Sequence, residues 1–132
     1  MTMRSLLPPG WKRPRGYSNG VSASGRMVFT AGVVGWDETE TFVATDLVGQ
    51  FRQVLVNTLA ILAEDGAGPE HIVRMTWYIT SRSEYLDGLA GIGEAYRALI
   101  GKHFPAMAVV EVVALMEAAA KVEIETIAVV PA

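Results

Sequence analysis

The run AMAVVEVVAL, residues 106 to 115, is apolar on both sides of a pleated strand. Side chains alternate across a strand, so Ala106, Ala108, Val110, Val112 and Ala114 share one face. Met107, Val109, Glu111, Val113 and Leu115 share the other. Both faces therefore need a cover, and the rest of the chain supplies few. Residues 45 to 65 place Leu47, Phe51, Val54, Leu55, Leu59 and Leu62 at spacings of three and four, with Thr45 or Asp46 as N-cap and Gly66 as the stop. This predicts one amphipathic helix. A second follows Ser81 and Glu84, which form a capping-box pattern, and carries Tyr85, Leu89, Ile92, Tyr96 and Leu99 before Gly101. Crossover helices of the usual hand lie on the same side of a sheet, which leaves the other side bare. A bare apolar sheet face is an association surface, and further copies of the chain in closed rotational symmetry are its commonest cover.

The remaining segments complete the order. IVRMTWYIT (72 to 80) and KVEIETIAVV (121 to 130) are β-branched and read as strands. GYSNGVSA and MVFTAGVV read as two short strands joined in a hairpin at Ser24-Gly25, where glycine tolerates positive φ. The expected fold class is α+β: a β-β-α-β-α-β-β mixed sheet with two helices on one face. Residues 1 to 15, with PPG and RPR and no periodicity, are expected to form an extended N-terminal arm, and 16 to 132 a single domain. Lys12, Arg13 and Arg15 in that arm read as a solvated patch.

Composition narrows the function classes. Half of the 132 residues are hydrophobic (51%), enough for one domain core. There is no cysteine, which excludes disulfides, thiolate zinc sites and a cysteine nucleophile. A formal net charge of -3 supplies no general pull toward nucleic acid or anionic membrane. The N-terminus lacks a signal-type apolar run and no later run approaches about 18 apolar residues, so a soluble, cytoplasmic protein without a membrane partner is expected. His71 and His103 have no second ligand at metal spacing, and Gly66-Ala67-Gly68 lacks the context of a phosphate loop. No metal and no cofactor are expected. Trp36 and Trp77 lie in or at the end of strands and read as packing residues.

Four strings in order, GYSNG (16 to 20), MVFTAG (27 to 32), FPAMAVVEV (104 to 112) and KVEIETIAV (121 to 129), resemble the Rid superfamily of RidA-like enamine/imine deaminases, also called the YjgF or endoribonuclease L-PSP family. The resemblance spans about residues 16 to 130. It implies a chorismate mutase-like homotrimer with a central barrel and small-molecule clefts between subunits. It also implies hydrolysis of a 2-imino or 2-amino acrylate-type compound to a keto acid and ammonia without metal or cofactor. Carried over by position, Glu123 is the carboxylate that holds or activates water and Tyr17 closes the cleft. Gly32 offers an amide donor, and Ala31, Val33, Gly93 and Ala108 line the ligand. The family's carboxylate-binding arginine falls at Met107, so this chain resembles an arginine-lacking branch. A thioether cannot replace the two charge-assisted hydrogen bonds of a guanidinium. The expected substrate is therefore an imine or enamine other than a simple imino acid, with Met107 as apolar wall. The alternatives are a non-catalytic small-molecule binding module on the same trimer and, disfavoured by charge, a ribonuclease. Glu111, about 13 Å along the strand from Met107, is too distant to share a small substrate and reads as an interface residue.

Overall fold

The structure, a computed structural model, describes residues 3–132. Seven strands and three helices follow in the order β1 (Met3–Leu6), β2 (Gly20–Ala23), β3 (Arg26–Phe29), β4 (Val33–Val34), α1 (Leu47–Ala63), β5 (Ile72–Ile79), α2 (Arg82–Asp87), α3 (Leu89–Leu99), β6 (Ala106–Glu111) and β7 (Val122–Val130). The main sheet runs β3-β7-β5-β6, with β4 also paired to β7. Only β5 and β6 are parallel; β3, β4 and β5 all lie antiparallel to β7. The α+β mixed sheet is thus as expected.

The helices cover one face. From α1, Phe51, Val54, Leu55 and Leu62 are buried, and from α3, Ile92, Ala95 and Tyr96. They meet Met75, Trp77 and Ile79 of β5 and Val122, Ile124 and Ala128 of β7. Full burial of each large side chain here contributes roughly 1.5 to 3 kcal/mol, so this layer dominates stability. Asp46 caps α1 by accepting from the Gly49 amide at 3.1 Å. Buried Gln50 donates to the carbonyls of Ala44 (3.2 Å) and Ala119 (2.9 Å) and accepts from the Lys121 amide (2.7 Å), which ties the loop before β7 to α1.

Five local expectations are corrected. The second helix is two: α2 ends at Gly88, which has φ −95 and ψ 6 and opens α3. The capping box is half formed. Ser81 accepts from the Glu84 amide, but the Glu84 carboxylate bonds the Leu47 amide (3.1 Å) and Lys121 Nζ (2.9 Å) instead of reaching back. Residues 3–6 of the expected arm are a strand paired with β2. The hairpin does not form: the chain turns at Gly25 (φ +145), yet β2 pairs with β1 while β3 pairs with β7. Finally, β6 stops at Glu111 and not at Leu115. Its partner β5 ends at Ile79, whose carbonyl takes the last ladder bond from Val112 N at 2.8 Å, and the Glu111 carboxylate accepts from the Arg82 amide at 2.6 Å. Glu111 thus bonds within its own chain.

The face away from the helices is mixed. Ala106, Ala108 and Val110 of β6 lie on it with Arg74, Thr76 and Tyr78 of β5, and Glu123, Glu125 and Ile127 of β7 continue the rows. Met27 and Phe29 of β3 are 57% and 61% exposed there. Apolar margins therefore flank a polar centre, in which the Tyr78 hydroxyl donates to Glu125 at 2.7 Å. That bond, with burial adding to it, raises the Tyr78 pKa. No helix of the described residues is long and apolar enough to cross a membrane.

Candidate functional site

The residues singled out by sequence fall into two groups on opposite faces of the sheet. The first surrounds a cavity of about 560 Å³ between β5, β6 and α2–α3, within the usual size of a small-molecule site. Its floor is Met107 and Val109, whose alternation points them toward the helices, beside Trp77 of β5. Its helical wall is Tyr85, Leu89, Ile92 and Tyr96, four residues of the stripe read from sequence, together with Gly93. Tyr17 stands at the mouth, 42% exposed. It is held there by its neighbour: the Ser18 amide donates to the Pro105 carbonyl (3.0 Å) and Ser18 Oγ to the Phe104 carbonyl (2.5 Å). The Pro-Ala-Met segment and the Gly-Tyr-Ser segment are thereby fastened side by side, which explains why residues 90 apart in sequence share one cavity.

Aromatic packing stiffens the wall. Trp77 lies against Phe51 with centroids 4.7 Å apart and meets Tyr85 edge-on at 6.4 Å; Tyr96 stacks on Phe104 at 6.3 Å. The Tyr96 hydroxyl donates to the His103 carbonyl, and burial pushes its pKa well above the ordinary tyrosine value. Burial likewise raises Tyr85. Both phenols therefore stay neutral donors at physiological pH. Trp77 Nε1 is buried without a partner among the described residues.

The second group is Glu123 and Gly32. β7 carries Glu123 opposite Val34, and the chain before β4 brings Gly32 against the carboxylate. A Cβ at Gly32 would lie 2.8 Å from Glu123 Cδ, a separation that real side chains do not show. Glycine is the residue that lets the backbone touch this acid. Ala31 precedes it, exposed, its carbonyl accepting from Thr30 Oγ1 at 2.8 Å. Val33 pairs with Ile124 and is buried in the core, so Val34 and not Val33 shares the Glu123 side. Ala108 also lies on that side, away from the cavity.

Within one chain, then, Tyr17, Met107 and Gly93 come together, Glu123 and Gly32 come together, and the two sets do not meet. Glu123 is level with Tyr78 and Val110, two strands from β6, a lateral distance of roughly 10 Å, and it emerges on the opposite face from Met107. Two cations that sequence reasoning passed over stand at the cavity: Arg15, read as part of a solvated arm, and Arg97. The signal for Arg97 was its position four residues after Gly93, which puts both on one side of a helix. Among the described residues no cluster of three or more His, Asp or Glu is placed to hold a metal.

Comparison with known proteins places this geometry. A family profile described as Endoribonuclease L-PSP matches residues 11–130. The protein DfrA of Myxococcus xanthus is 36% identical over 119 residues, covering 86% of this chain and 84% of that one. A RutC family protein of Synechocystis is 32% identical over 138 residues, covering 99% of each. The crystal structure of a Rid family protein of unknown function from Yersinia pestis superposes with a TM-score of 0.87 at 31% identity, covering 98% of this chain and all of that one (100%). With the profile spanning most of its length and these relatives spanning nearly all of it, the chain belongs to the Rid family, the family also described as RutC and endoribonuclease L-PSP.

Proposed function

We propose that this chain is a Rid-type hydrolase that releases ammonia from an imine or enamine bearing a sizeable apolar or aromatic group, in clefts formed between copies of a homotrimer. The observation that carries the reading is the separation of the two residue groups. A cavity with apolar floor and, among the described residues, no acid in its lining, and an acid set against the Gly32 backbone outside that cavity, are each half of a hydrolytic site. A neighbouring copy that packs its Glu123 face against the cavity mouth completes one site per interface. The exposed Met27, Phe29 and Val110 supply the apolar contact for such packing.

In the assembled cleft the substrate's apolar group rests on Met107 and Val109, and Tyr17 closes over it. The Glu123 carboxylate orients a water molecule toward the C=N carbon. As the water oxygen bonds to that carbon, the C=N π pair moves to nitrogen; the carboxylate takes the water proton and returns it to nitrogen. In the resulting carbinolamine the carboxylate takes the hydroxyl proton and passes it to the amine nitrogen; as the oxygen pair forms C=O, the C–N bond breaks with its pair leaving on nitrogen, so imine and water become carbonyl compound and ammonia. The Gly32 amide donates toward the oxygen that develops charge. Met107 also favours a second reading, a binding module that keeps the clefts without turnover, because the anchoring cation of a simple imino acid is missing there.

The experiment is ammonia release from 2-iminobutanoate and from aromatic imines generated in situ, with wild type and Glu123→Gln. The hydrolase reading expects turnover of an aromatic imine above that of 2-iminobutanoate, lowered by a factor of about 100 or more in Glu123→Gln. Stoichiometric ligand binding without Glu123-dependent turnover would establish the binding module instead.

A further inference from the structure

We propose that Arg97, with Arg15 beside it, is the anchor for an anionic group on the ligand, so that the substrate class is an aromatic or long apolar compound carrying a carboxylate at the cavity mouth and not at its floor. This rests on the reading of the cavity as the ligand cleft and names what the cleft selects.

Three observations carry it. Among the described residues Arg15 and Arg97 are the only charged side chains that line the cavity, and both are cations. Neither makes an ion pair: among the described residues the ion pairs are Arg26 with Asp65 and Lys121 with Glu84. Two guanidinium groups beside a wall of Trp77, Ile92, Met107 and Val109 form a field of one sign at a low-dielectric surface, which draws an anion and strengthens its hydrogen bonds.

The third observation is Gly93. A Cβ at that position would lie 3.2 Å from the Arg97 guanidinium, tighter than ordinary contact. The guanidinium therefore lies over the helix backbone at Gly93, along the cavity wall, in room that a side chain at 93 would take. The missing side chain at Gly93 and the arginine one turn later are thus a single device. It sets positive charge at the helical rim, while the β6 floor at Met107 is apolar. The rim also continues beyond the cavity. An adjoining cleft shares Arg15, Gly16, Tyr17 and Phe104 with it and adds Arg13 and Lys102. The linings of the two clefts thus hold four cations, while the floor at Met107 and Val109 offers hydrocarbon.

The geometry fits a ligand with its charge several atoms from its apolar end. A three- or four-carbon acid that reached the rim would leave Met107 and Val109 uncovered. 4-Phenylbutanoate has the required form, and its amide is a neutral match of nearly the same shape. Calorimetric titration of the full-length protein with each is the test. The carboxylate is expected to bind about tenfold or more tightly than the amide, one charge-assisted hydrogen bond's worth. Arg97→Gln should make the two bind alike, Arg97→Lys should keep part of the preference, and Arg52→Gln, a surface cation on α1, should keep all of it. Equal binding of acid and amide by wild type, with binding lost in Met107→Asp, would leave the cleft standing and overturn the anchor. So would an equal loss of preference in Arg52→Gln, which would reduce the effect to net charge. Binding of neither probe would overturn the anchor together with the cleft reading.

Discussion

Two glycines a few residues apart separate fold from function in this chain. At Gly35 a Cβ would lie 2.8 Å from Gln50 Cα and 2.6 Å from the Gln50 carbonyl oxygen, both backbone atoms of α1, where ordinary contact begins at 3.4 Å. Gly35→Ala therefore pushes the whole helix away by about 0.6 to 0.8 Å. The helix cannot tilt freely, because the buried Gln50 side chain is bonded to Ala119 and Lys121 and Phe51 and Leu55 are packed against the sheet. Overpacking of this kind costs roughly 1 to 3 kcal/mol, and strain on the Gln50 bonds adds about 1 kcal/mol more. At Gly32 the obstacle is instead the Glu123 carboxylate, the far end of a flexible side chain. Gly32→Ala should swing that acid aside at a cost under about 1 kcal/mol. Thermal unfolding at fixed protein concentration reads both. At roughly 3 to 6 °C per kcal/mol, Gly35→Ala, at about 2 to 4 kcal/mol, should melt at least about 6 °C below wild type, and Gly32→Ala, at under about 1 kcal/mol, less than about 6 °C below it. Gly32→Ala should still lose most imine turnover, since the displaced carboxylate no longer faces its water. A Gly35→Ala protein with wild-type Tm, or a Gly32→Ala protein that is folded and fully active, would refute the reasoning.

Other substitutions test other parts of the account. Thr126 Oγ1 is buried without a hydrogen-bond partner among the described residues, so the near-isosteric Thr126→Val should raise stability by about 1 kcal/mol in urea unfolding; a lower midpoint would show that the hydroxyl has a partner. Burial raises the Tyr96 pKa above its ordinary 10.0, and the proton is thus held more tightly in the folded state. Its contribution is fully present below pH 10.0 and is lost as pH rises beyond it, so wild type should lose stability more steeply than Tyr96→Phe in alkaline urea titrations. Parallel curves would place the alkaline sensitivity elsewhere. Below that range Tyr96→Phe should be about 1 kcal/mol less stable, for the lost bond to the His103 carbonyl. Met107→Arg places a cation at the cavity floor and should confer turnover of 2-iminobutanoate; no gain would mean that the remaining site is not competent for small imino acids.

The strands at 72–79, 106–111 and 122–130 were legible because β-branched runs and alternation are local properties. The end of β6 was not, because nothing in VVAL signals that β5 has already finished at Ile79. The turn at Gly25 was read from its chemistry, but a turn does not choose ladder partners. β7 is long enough to take β3, and Met3–Leu6 was available to take β2. The break at Gly88 was hidden by an apolar stripe that continues through it. At the site, the matched strings singled out Tyr17, Gly32, Met107 and Glu123, but did not show that within one chain Tyr17 and Met107 share a cavity while Gly32 and Glu123 meet on the other face, because a string match does not say on which face of the sheet each side chain emerges. Arg97 was not singled out, because an arginine on a helix reads as solvated until the cavity it lines is seen.

The account depends on the two residue groups being joined by a second copy of the chain. Sedimentation velocity at micromolar concentration measures this directly. A single species at three times the 14.2 kDa of one chain, persisting on dilution, is the expected result. A folded species at 14.2 kDa would leave Glu123 and Met107 on opposite sides of one sheet and contradict it.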